Sequence, residues 1–291
     1  MGNISSKKLN SSKSGSGKLS RSFSNIDDKL LFNDEEEIDR VQVEHHIYRS
    51  IWNANYLAPV TERLVNGGAN VLDYGCGPGT WICDMSSDFP KSFFTGVELI
   101  HLFPNIHPSN VQFIQCDLNN GLPFEDNLFD FIHIRLKFLN YTEQQWRNLV
   151  FKELVRVLKP GGWIESIEPE CDGVNNGPAS KQYISRFRDA CAKKGLDPYL
   201  VFHLPEILAS NKDIDSTTIK HVTKLVPIGS WGGKIGEVVE ENIRELKKRV
   251  DIVLSCAAKR NAEFYSNSHK EYEVYKASFK LHRFYAMKRI V

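Results

Sequence analysis

One carboxylate and three glycines form the most chemically informative cluster of the sequence. Asp73 ends a short apolar run, and Gly75, Gly77 and Gly79 follow it at alternate positions. A glycine-rich turn between a strand and a helix lets backbone N–H groups approach a bound nucleotide closely. The dinucleotide pattern G-x-G-x-x-G is not met, because Thr80 stands where the third glycine is expected.

The position of Asp73 favours one kind of ligand. A carboxylate aimed into the site repels a pyrophosphate and attracts an ammonium group. The implied ligand therefore joins a nucleoside to a cationic group, as S-adenosylmethionine does. Glu98 lies about 20 residues after the loop and can accept hydrogen bonds from ribose hydroxyls in a dinucleotide site as well as in an S-adenosylmethionine site. An NAD-dependent oxidoreductase stays as a remote alternative.

Five charged residues fall at or near the carboxyl ends of separate predicted strands. They are Asp73, Glu98, Asp117, Arg135 and Glu168. Ligands of open α/β sheets bind at that edge, so we expect these side chains to line a single rim. The structural alternative for each of them is an ordinary solvated loop charge.

Short segments rich in β-branched and aromatic residues predict the strands that position this rim, over 69–74, 93–99, 111–118, 129–135 and 163–168. A helix is predicted over 142–158, because Thr142 and Gln145 fit a capping box and Pro160 follows the last apolar turn. Alternating strands and helices predict an α/β fold with a mostly parallel sheet and helices on both faces.

These motifs, in this order, resemble the class I S-adenosylmethionine-dependent methyltransferases. The resemblance is carried by VLDYGCGPGTW, GVEL, QCDLNNGLPFEDNLFDFIHIR and ELVRVLKPGGWIE. More narrowly, DEEEIDRVQVEHHIYRSIWNANYLAPV and Trp81 resemble fungal methyltransferase-domain proteins related to regulators of secondary metabolism. The resemblance extends from about Asp34 to Glu170 and implies a Rossmann-like sheet of seven strands, with S-adenosyl-L-methionine as the cofactor.

Carried over by position, eight residues are expected to bind that cofactor: Asp73, Gly75, Gly77, Gly79, Glu98, Asp117, Leu118 and Ile134. The first four are expected to hold the methionine part, and Glu98 the ribose hydroxyls. The Asp117 side chain and the Leu118 amide are expected to read the adenine amino edge. The backbone of Ile134 is expected to lie near the methionine part.

Methyl transfer from a sulfonium depends mainly on orientation, and a base is needed only if the nucleophile arrives protonated. His133, Arg135 and Glu168 are the catalytic candidates near the rim, and the sequence singles out none of them. The alternative for His133 is a side chain that covers one face of the sheet, and Glu165 is predicted to be a paired structural carboxylate. A module that binds the cofactor without turnover is therefore the main alternative function.

Composition limits the chemical class of acceptor that we expect for this protein. The 37 Lys and Arg residues nearly cancel the 36 Asp and Glu residues, which disfavours a uniformly basic nucleic-acid binder. A small-molecule acceptor is favoured, and a protein acceptor is the alternative.

No apolar run of membrane length and no secretory signal is present, so we expect a cytoplasmic protein, with the nucleus as the alternative. The six cysteines form no CxxC pair, so neither a metal site nor a disulfide is expected.

The predicted organisation is a disordered, basic, Ser-rich tail followed by an acidic linker over 1–33, and a folded methyltransferase domain over 34–291. This domain is predicted to have a cofactor half (34–170) and a substrate half (171–291). Helices are predicted over 177–195, 204–211 and 237–259, and a strand over 217–228. These late segments and the N-terminal helix are expected to roof the pocket. An aromatic-rich end is predicted to be a helix docked on the core; its residues are Tyr265, Tyr272, Tyr275, Phe279, Phe284 and Tyr285.

The tail carries a membrane-anchoring motif. Residues 1–24 contain nine serines, no acidic residue and five basic residues, so this segment cannot form a core and is expected to be disordered. Removing these five charges from the formal net charge of +1 leaves −4 for the rest of the chain. Gly2 and Ser6 fit the N-myristoylation pattern M-G-x-x-x-[ST]. One acyl chain binds membranes only marginally, and the basic residues supply a second signal of about 1 kcal/mol each. Nuclear import is the alternative use of the same basic residues.

We predict that this protein, produced in a eukaryotic host, carries a myristoyl group on Gly2 and partitions to anionic membranes. The Gly2→Ala variant is expected to lose both the added mass and the partition, because the acyl acceptor is removed. Intact-mass measurement and vesicle sedimentation of the two proteins test this. Absence of an acyl mass on the unmodified sequence would refute the prediction.

Overall fold

The computed structural model describes residues 34–117, 120–254 and 261–290. The strands are β1 (Asn70–Tyr74), β2 (Phe93–Glu98), β3 (Val111–Gln115), β4 (Phe129–Arg135), β5 (Leu158–Pro169), β6 (Lys220–Pro227) and β7 (Ser278–Met287). The α-helices are α1 (Glu35–Trp52), α2 (Thr61–Asn66), α3 (Thr80–Asp88), α4 (Glu143–Gln145), α5 (Phe151–Val157), α6 (Pro178–Lys193), α7 (Leu200–Ser210), α8 (Gly233–Leu254) and α9 (Asn261–Tyr275).

The seven strands form one sheet in the order β3-β2-β1-β4-β5-β7-β6. Strands β1 to β5 pair in parallel, and β7 pairs antiparallel with both β5 and β6. The predicted Rossmann-like sheet of seven strands is confirmed, but the sheet is mixed, because β7 is inserted between two strands that run the other way. Parallel neighbours bring the carboxyl ends of β1, β2 and β4 to the same edge.

Helices cover both faces of the sheet. In β1 and β4, Leu72 and Ile132 pack in one apolar cluster with Leu204 of α7, while Val71 and Phe131 pack on the opposite face with α2 and α3. Successive residues of a strand point to opposite faces, so an uninterrupted apolar run is what a sheet buried on both sides requires.

The predicted capping box is present. The Thr142 side chain accepts a hydrogen bond from the Gln145 amide, and the Gln145 side chain accepts one from the Thr142 amide. The predicted helix over 142–158 is interrupted by a π-helical turn at Trp146–Val150, which places the fully buried Trp146 ring in the core. Similarly, Asp34 caps α1 by accepting from the Glu37 amide.

The prediction for the aromatic-rich end is wrong in its second half. Tyr272 and Tyr275 belong to α9, but Phe279, Phe284 and Tyr285 lie in β7. The segment pairs on both sides, and Leu281, Phe284 and Ala286 are fully buried. Pairing with two neighbouring strands supplies the hydrogen bonds that a helix would otherwise make internally. The side chain of Tyr265 lies outside the described residues.

Within the described ranges, no helix has the length and apolarity needed to cross a bilayer. None of the five cysteines in those ranges is part of a disulfide. Gly2 and the whole predicted tail lie outside the described residues, so the lipidation prediction stays a prediction.

A buried ion pair ties β7 to β5. Glu165 and Arg283 are both almost inaccessible to solvent, and Arg283 Nη1 lies 3.3 Å from Glu165 Oε1. The other Glu165 oxygen accepts from the amides of Leu57 and Ala58 at 2.8 and 2.7 Å. The prediction of Glu165 as a paired structural carboxylate is confirmed. The guanidinium also lies 4.5 Å from the centre of the Trp52 ring.

We expect Arg283→Met to destabilise the protein by about 3 to 5 kcal/mol, because it leaves the buried Glu165 carboxylate without its counter-ion. Lys280→Met on the same strand is the matched control. Its half-exposed side chain lies 3.6 Å from Glu170, and such pairs contribute roughly 0 to 1 kcal/mol. Urea unfolding at neutral pH measures both, and equal losses would contradict the assignment.

Candidate functional site

The glycine loop turns the chain sharply between β1 and α3. Gly75, Gly77 and Gly79 have φ angles of +70°, +54° and +75°, a region that favours glycine. The amides of Gly75 and Cys76 donate to the Val97 carbonyl, which draws the loop onto the end of β2. A Cβ at Gly79 would lie 2.5 Å from the Phe113 ring on β3. The loop therefore needs glycine both for its backbone angles and for its close packing.

Glu98 binds this loop from the end of β2. Its Oε2 accepts from the Gly77 amide at 3.0 Å, and its Oε1 accepts from the Leu99 amide at 2.7 Å. The Lys137 ammonium lies 3.8 Å from Oε2. The carboxylate is thus a buried acceptor that faces the loop and an adjacent cation.

Asp73 belongs to a buried stack behind the loop. Its Oδ1 lies 2.8 Å from His133 Nδ1, and the imidazole stacks on the Trp81 indole with centroids 3.8 Å apart. Burial lowers the pKa of His133 to about 4, although the hydrogen bond to Asp73 acts in the opposite direction. His133 is therefore neutral at pH 7 and orients the Asp73 carboxylate.

A cavity of about 190 Å³ opens in front of the loop. We call it the glycine-loop cavity. Its floor includes Asp73, the backbone at Gly75 and Gly77, and Glu98. Helix α1 supplies much of its opposite wall, so the predicted roofing by the N-terminal helix agrees with its position. The wall residues on α1 are Glu37, Ile38, Arg40, Val41 and Glu44.

The three catalytic candidates lie in different surroundings. Arg135 lines the cavity, with its Nη1 3.3 Å from His45 Nδ1. Glu168 is fully buried and accepts from the amides of Lys137 and Phe138 at 3.0 and 3.3 Å. Burial raises the pKa of Glu168 to about 8. Neither Glu168 nor His133 lines the glycine-loop cavity, but each is hydrogen-bonded to a residue that does, Lys137 and Asp73 respectively.

The remaining predicted binding residues are more dispersed. Asp117 follows β3 on the exposed surface and accepts from the Asn120 side chain at 2.9 Å, outside the cavity lining. Ile134 is a fully buried core residue of β4. Leu118 lies outside the described residues. Of the five charged residues predicted to line one rim, the structure therefore places three in the lining of the glycine-loop cavity: Asp73, Glu98 and Arg135.

Sequence reasoning missed Lys137 and the charged face of α1. A Cβ added at Gly75 would lie 2.1 Å from Lys137 Cε, so this lysine stem passes directly over the loop. On α1, Arg40 is held by both carboxylate oxygens of Glu37 and by Glu44. The spacing of these charges, three residues from Glu37 to Arg40 and four from Arg40 to Glu44, indicates ion pairs along one helix face. The same pattern is typical of a solvated helix face, so the sequence did not single it out.

Comparisons with known proteins agree with this geometry. Residues 71–162 match the family model described as a methyltransferase domain. The chain is 30% identical to the secondary metabolism regulator laeA of Aspergillus niger over 208 residues, which cover 68% of this chain and 52% of the relative. It is 32% identical to the N-methyltransferase verN of Clonostachys rogersoniana over 161 residues, which cover 53% of this chain and 55% of the relative. The chain thus spans about half the length of these relatives.

A solved structure shares the fold. The phosphoethanolamine N-methyltransferase 2 of Haemonchus contortus, in complex with S-adenosyl-L-methionine, superposes with a TM-score of 0.51 at 17% identity. The superposition covers 90% of this chain and 60% of that chain.

The buried His133 makes stability depend on pH in a defined direction. Because its pKa is lower in the folded state than in the unfolded chain, the unfolded state takes up a proton first as the pH falls. We predict that this group costs up to about 3 kcal/mol of folding free energy between pH 7 and pH 4. His133→Gln is expected to flatten that part of the curve.

Urea unfolding at several pH values between 7 and 4 compares His133→Gln with the parent protein. The exposed His101→Gln serves as the control for the substitution of a histidine outside the buried stack. A parent and a His133→Gln variant with parallel curves would contradict the burial argument.

Proposed function

Because this chain belongs to the class I S-adenosylmethionine-dependent methyltransferases related to the fungal laeA proteins, we propose that it transfers a methyl group from S-adenosylmethionine to a small-molecule acceptor. The observation that carries the proposal is the pair of buried carboxylates, Asp73 and Glu98, on either side of a loop of three left-handed glycines. A cationic, hydroxyl-rich nucleoside ligand matches that set of acceptors.

The residues of the glycine-loop cavity fit this cofactor. The cavity is lined by four carboxylates and three cationic side chains. The carboxylates are those of Glu37, Glu44, Asp73 and Glu98, and the cations are Arg40, Arg135 and Lys137. A pyrophosphate would be repelled by this excess of negative charge, whereas an ammonium and a sulfonium are attracted. The oxidoreductase alternative is disfavoured on the same ground.

When bound, S-adenosylmethionine supplies an electrophilic methyl group on a cationic sulfur. In our proposal, Asp73 accepts from the ammonium group, and His133 keeps that carboxylate oriented from behind. Glu98 accepts from the ribose hydroxyls, and Lys137 lies close enough to balance its charge. The backbone of Gly75 and Gly77 lines the cavity and leaves room for the methionine part, whereas Gly79 packs against the Phe113 ring and supports the loop.

The outer part of the proposed cofactor site uses the end of β3. Asp117 and the Leu118 amide are assigned to the adenine edge, and the Ile134 backbone to the methionine part. We assign none of the three catalytic candidates as a base, because displacement at a sulfonium needs mainly the alignment of nucleophile and methyl carbon. Arg135 remains the candidate of the original three that lines the cavity.

The acceptor, partners and location are parts of the proposal. The net charge of −4 outside residues 1–24 opposes a nucleic-acid acceptor. We propose a cytoplasmic protein that reaches anionic membranes through its N-terminus. A protein partner and a nuclear location are the alternatives.

We predict that Asp73→Asn and Glu98→Gln each weaken the binding of S-adenosylmethionine by about 1 to 3 kcal/mol, because each leaves a polar ligand group poorly paired in a buried site. This corresponds to roughly 5-fold to 150-fold in Kd. Calorimetric titration measures it, and the exposed Glu125→Gln is the control.

Unchanged affinity in both variants would place the cofactor elsewhere. Failure of the parent protein to bind S-adenosylmethionine would refute the proposed function itself. Binding without turnover of any small molecule in a broad acceptor panel would support a regulatory module instead.

A further inference from the structure

A second cavity lies beside the glycine-loop cavity and has a different character. Its volume is about 320 Å³, and most of its lining is apolar. We call it the apolar chamber. Helices α1, α6 and α8 supply most of the lining, and the segments that follow β4 and β5, together with Tyr272 of α9 and Phe279 of β7, also contribute. Its buried lining side chains include Ile47, Tyr183, Phe187, Val239 and Tyr272.

The two cavities share a boundary. Five residues line both of them: Glu37, Arg40, Glu44, Leu136 and Asn140. Three of these lie on α1, and the other two follow β4. The apolar chamber and the glycine-loop cavity are therefore adjacent, with these side chains at their common boundary.

Glu44 is the boundary residue with an unmet hydrogen-bonding requirement. It is 4% exposed, and its Oε1 accepts from Arg40 Nη1 at 3.1 Å. Its Oε2 is buried and has no hydrogen-bond partner among the residues that the structure describes. Arg40 is already engaged by Glu37 and by Asn242. Buried carboxylate oxygens are costly without a donor, so a ligand that brings one is expected at this boundary.

We propose, on the basis of the methyltransferase function above, that the apolar chamber holds the methyl acceptor and that Glu44 binds the accepting atom. The acceptor has an apolar body and an N–H or O–H at the atom that is methylated. Glu44 Oε2 accepts that hydrogen bond and so orients a lone pair of the atom toward the glycine-loop cavity.

The reaction balances with these groups. The new C–N or C–O bond forms as the C–S bond breaks, and the sulfur leaves with the bonding electrons as a neutral thioether. The N–H or O–H proton of the acceptor passes to Glu44 Oε2, and from there to water after product release. No further reactant is required.

The same observation argues against a thioether acceptor. A thioether sulfur carries no hydrogen, so it would fill the chamber and still leave Glu44 Oε2 without a donor. Ser180 on the α6 wall provides a second buried oxygen without a partner in the described ranges. An apolar molecule with one or two polar groups matches a chamber built in this way.

Binding of simple probes tests the proposal without knowledge of the natural acceptor. The probes are 2-naphthol and 2-naphthylamine, which carry O–H and N–H donors, and 2-methoxynaphthalene, which has neither. Fluorescence titration is done with the full chain in saturating S-adenosylhomocysteine. We expect the two donor probes to bind the parent protein about tenfold more tightly than the ether.

Glu44→Gln is expected to reduce that preference to less than about twofold. The amide oxygen of Gln is retained by Arg40, so the amide N–H₂ group replaces the orphan acceptor with a donor. Ile243→Trp and Ile184→Trp, from two walls of the chamber, are expected to weaken all probes at least about tenfold. Both positions are half-buried, so the larger ring can be accommodated, and thermal unfolding checks the fold. Val222→Trp on β6, outside the chamber, is the matched control.

The outcomes separate this proposal from the one on which it rests. A parent protein that does not bind S-adenosylhomocysteine overturns the proposed function and this inference with it. A parent protein that binds it but shows no preference for donor probes overturns the role of Glu44 alone. Probe binding that is unaffected by both tryptophan variants overturns the chamber as the acceptor site. Methylation of a methionine peptide at a rate that Glu44→Gln does not change overturns the proposed N–H or O–H acceptor.

Discussion

The hydrogen bond from the Gly77 amide to the Glu98 carboxylate holds the glycine loop against the end of β2, and the candidate site depends on it. A loop with three left-handed glycines has little intrinsic preference for one shape, because glycine pays the largest backbone entropy on ordering. The carboxylate and the two amide bonds to Val97 select the shape that leaves a cavity in front of the loop. Lys137 then lies across that opening.

Buried and partly buried carboxylates organise this protein more widely by accepting from pairs of backbone amides. Glu165 holds the chain before α2, Glu168 holds the chain after β4, and Glu271 holds the start of α6. Each bond satisfies donors that loops and helix ends leave open. This explains why acidic residues at strand ends are not all binding residues: a carboxylate saturated by local amides shapes the site without reaching a ligand.

Helix α1 connects the sheet to the later helices. Arg40 exchanges hydrogen bonds with Asn242 of α8, and Arg249 of α8 pairs with Asp34 at the N-cap of α1. The two proposed halves of the body are therefore joined above the carboxyl edge of the sheet. Because α1 lines both cavities, this one helix contacts the proposed cofactor site and the proposed acceptor site. Arg40 and Arg249, which make these contacts, are buried, which sets them apart from the charges of a solvated helix face.

The sequence by itself determined the strand–loop–helix unit, the segments that form the parallel strands and the capped helix after Thr142. These features depend on neighbours within a few residues, such as the alternate glycines and the Thr142 and Gln145 pair, so local patterns identify them. Tertiary structure decided the insertion of β7, the burial of His133 against Trp81 and the unpaired oxygen of Glu44. A segment such as Phe279–Met287 becomes a strand because two distant strands offer it hydrogen bonds. Likewise, whether a His or Glu is a surface charge or a buried partner depends on what packs over it, and those atoms come from parts of the chain more than 30 residues away.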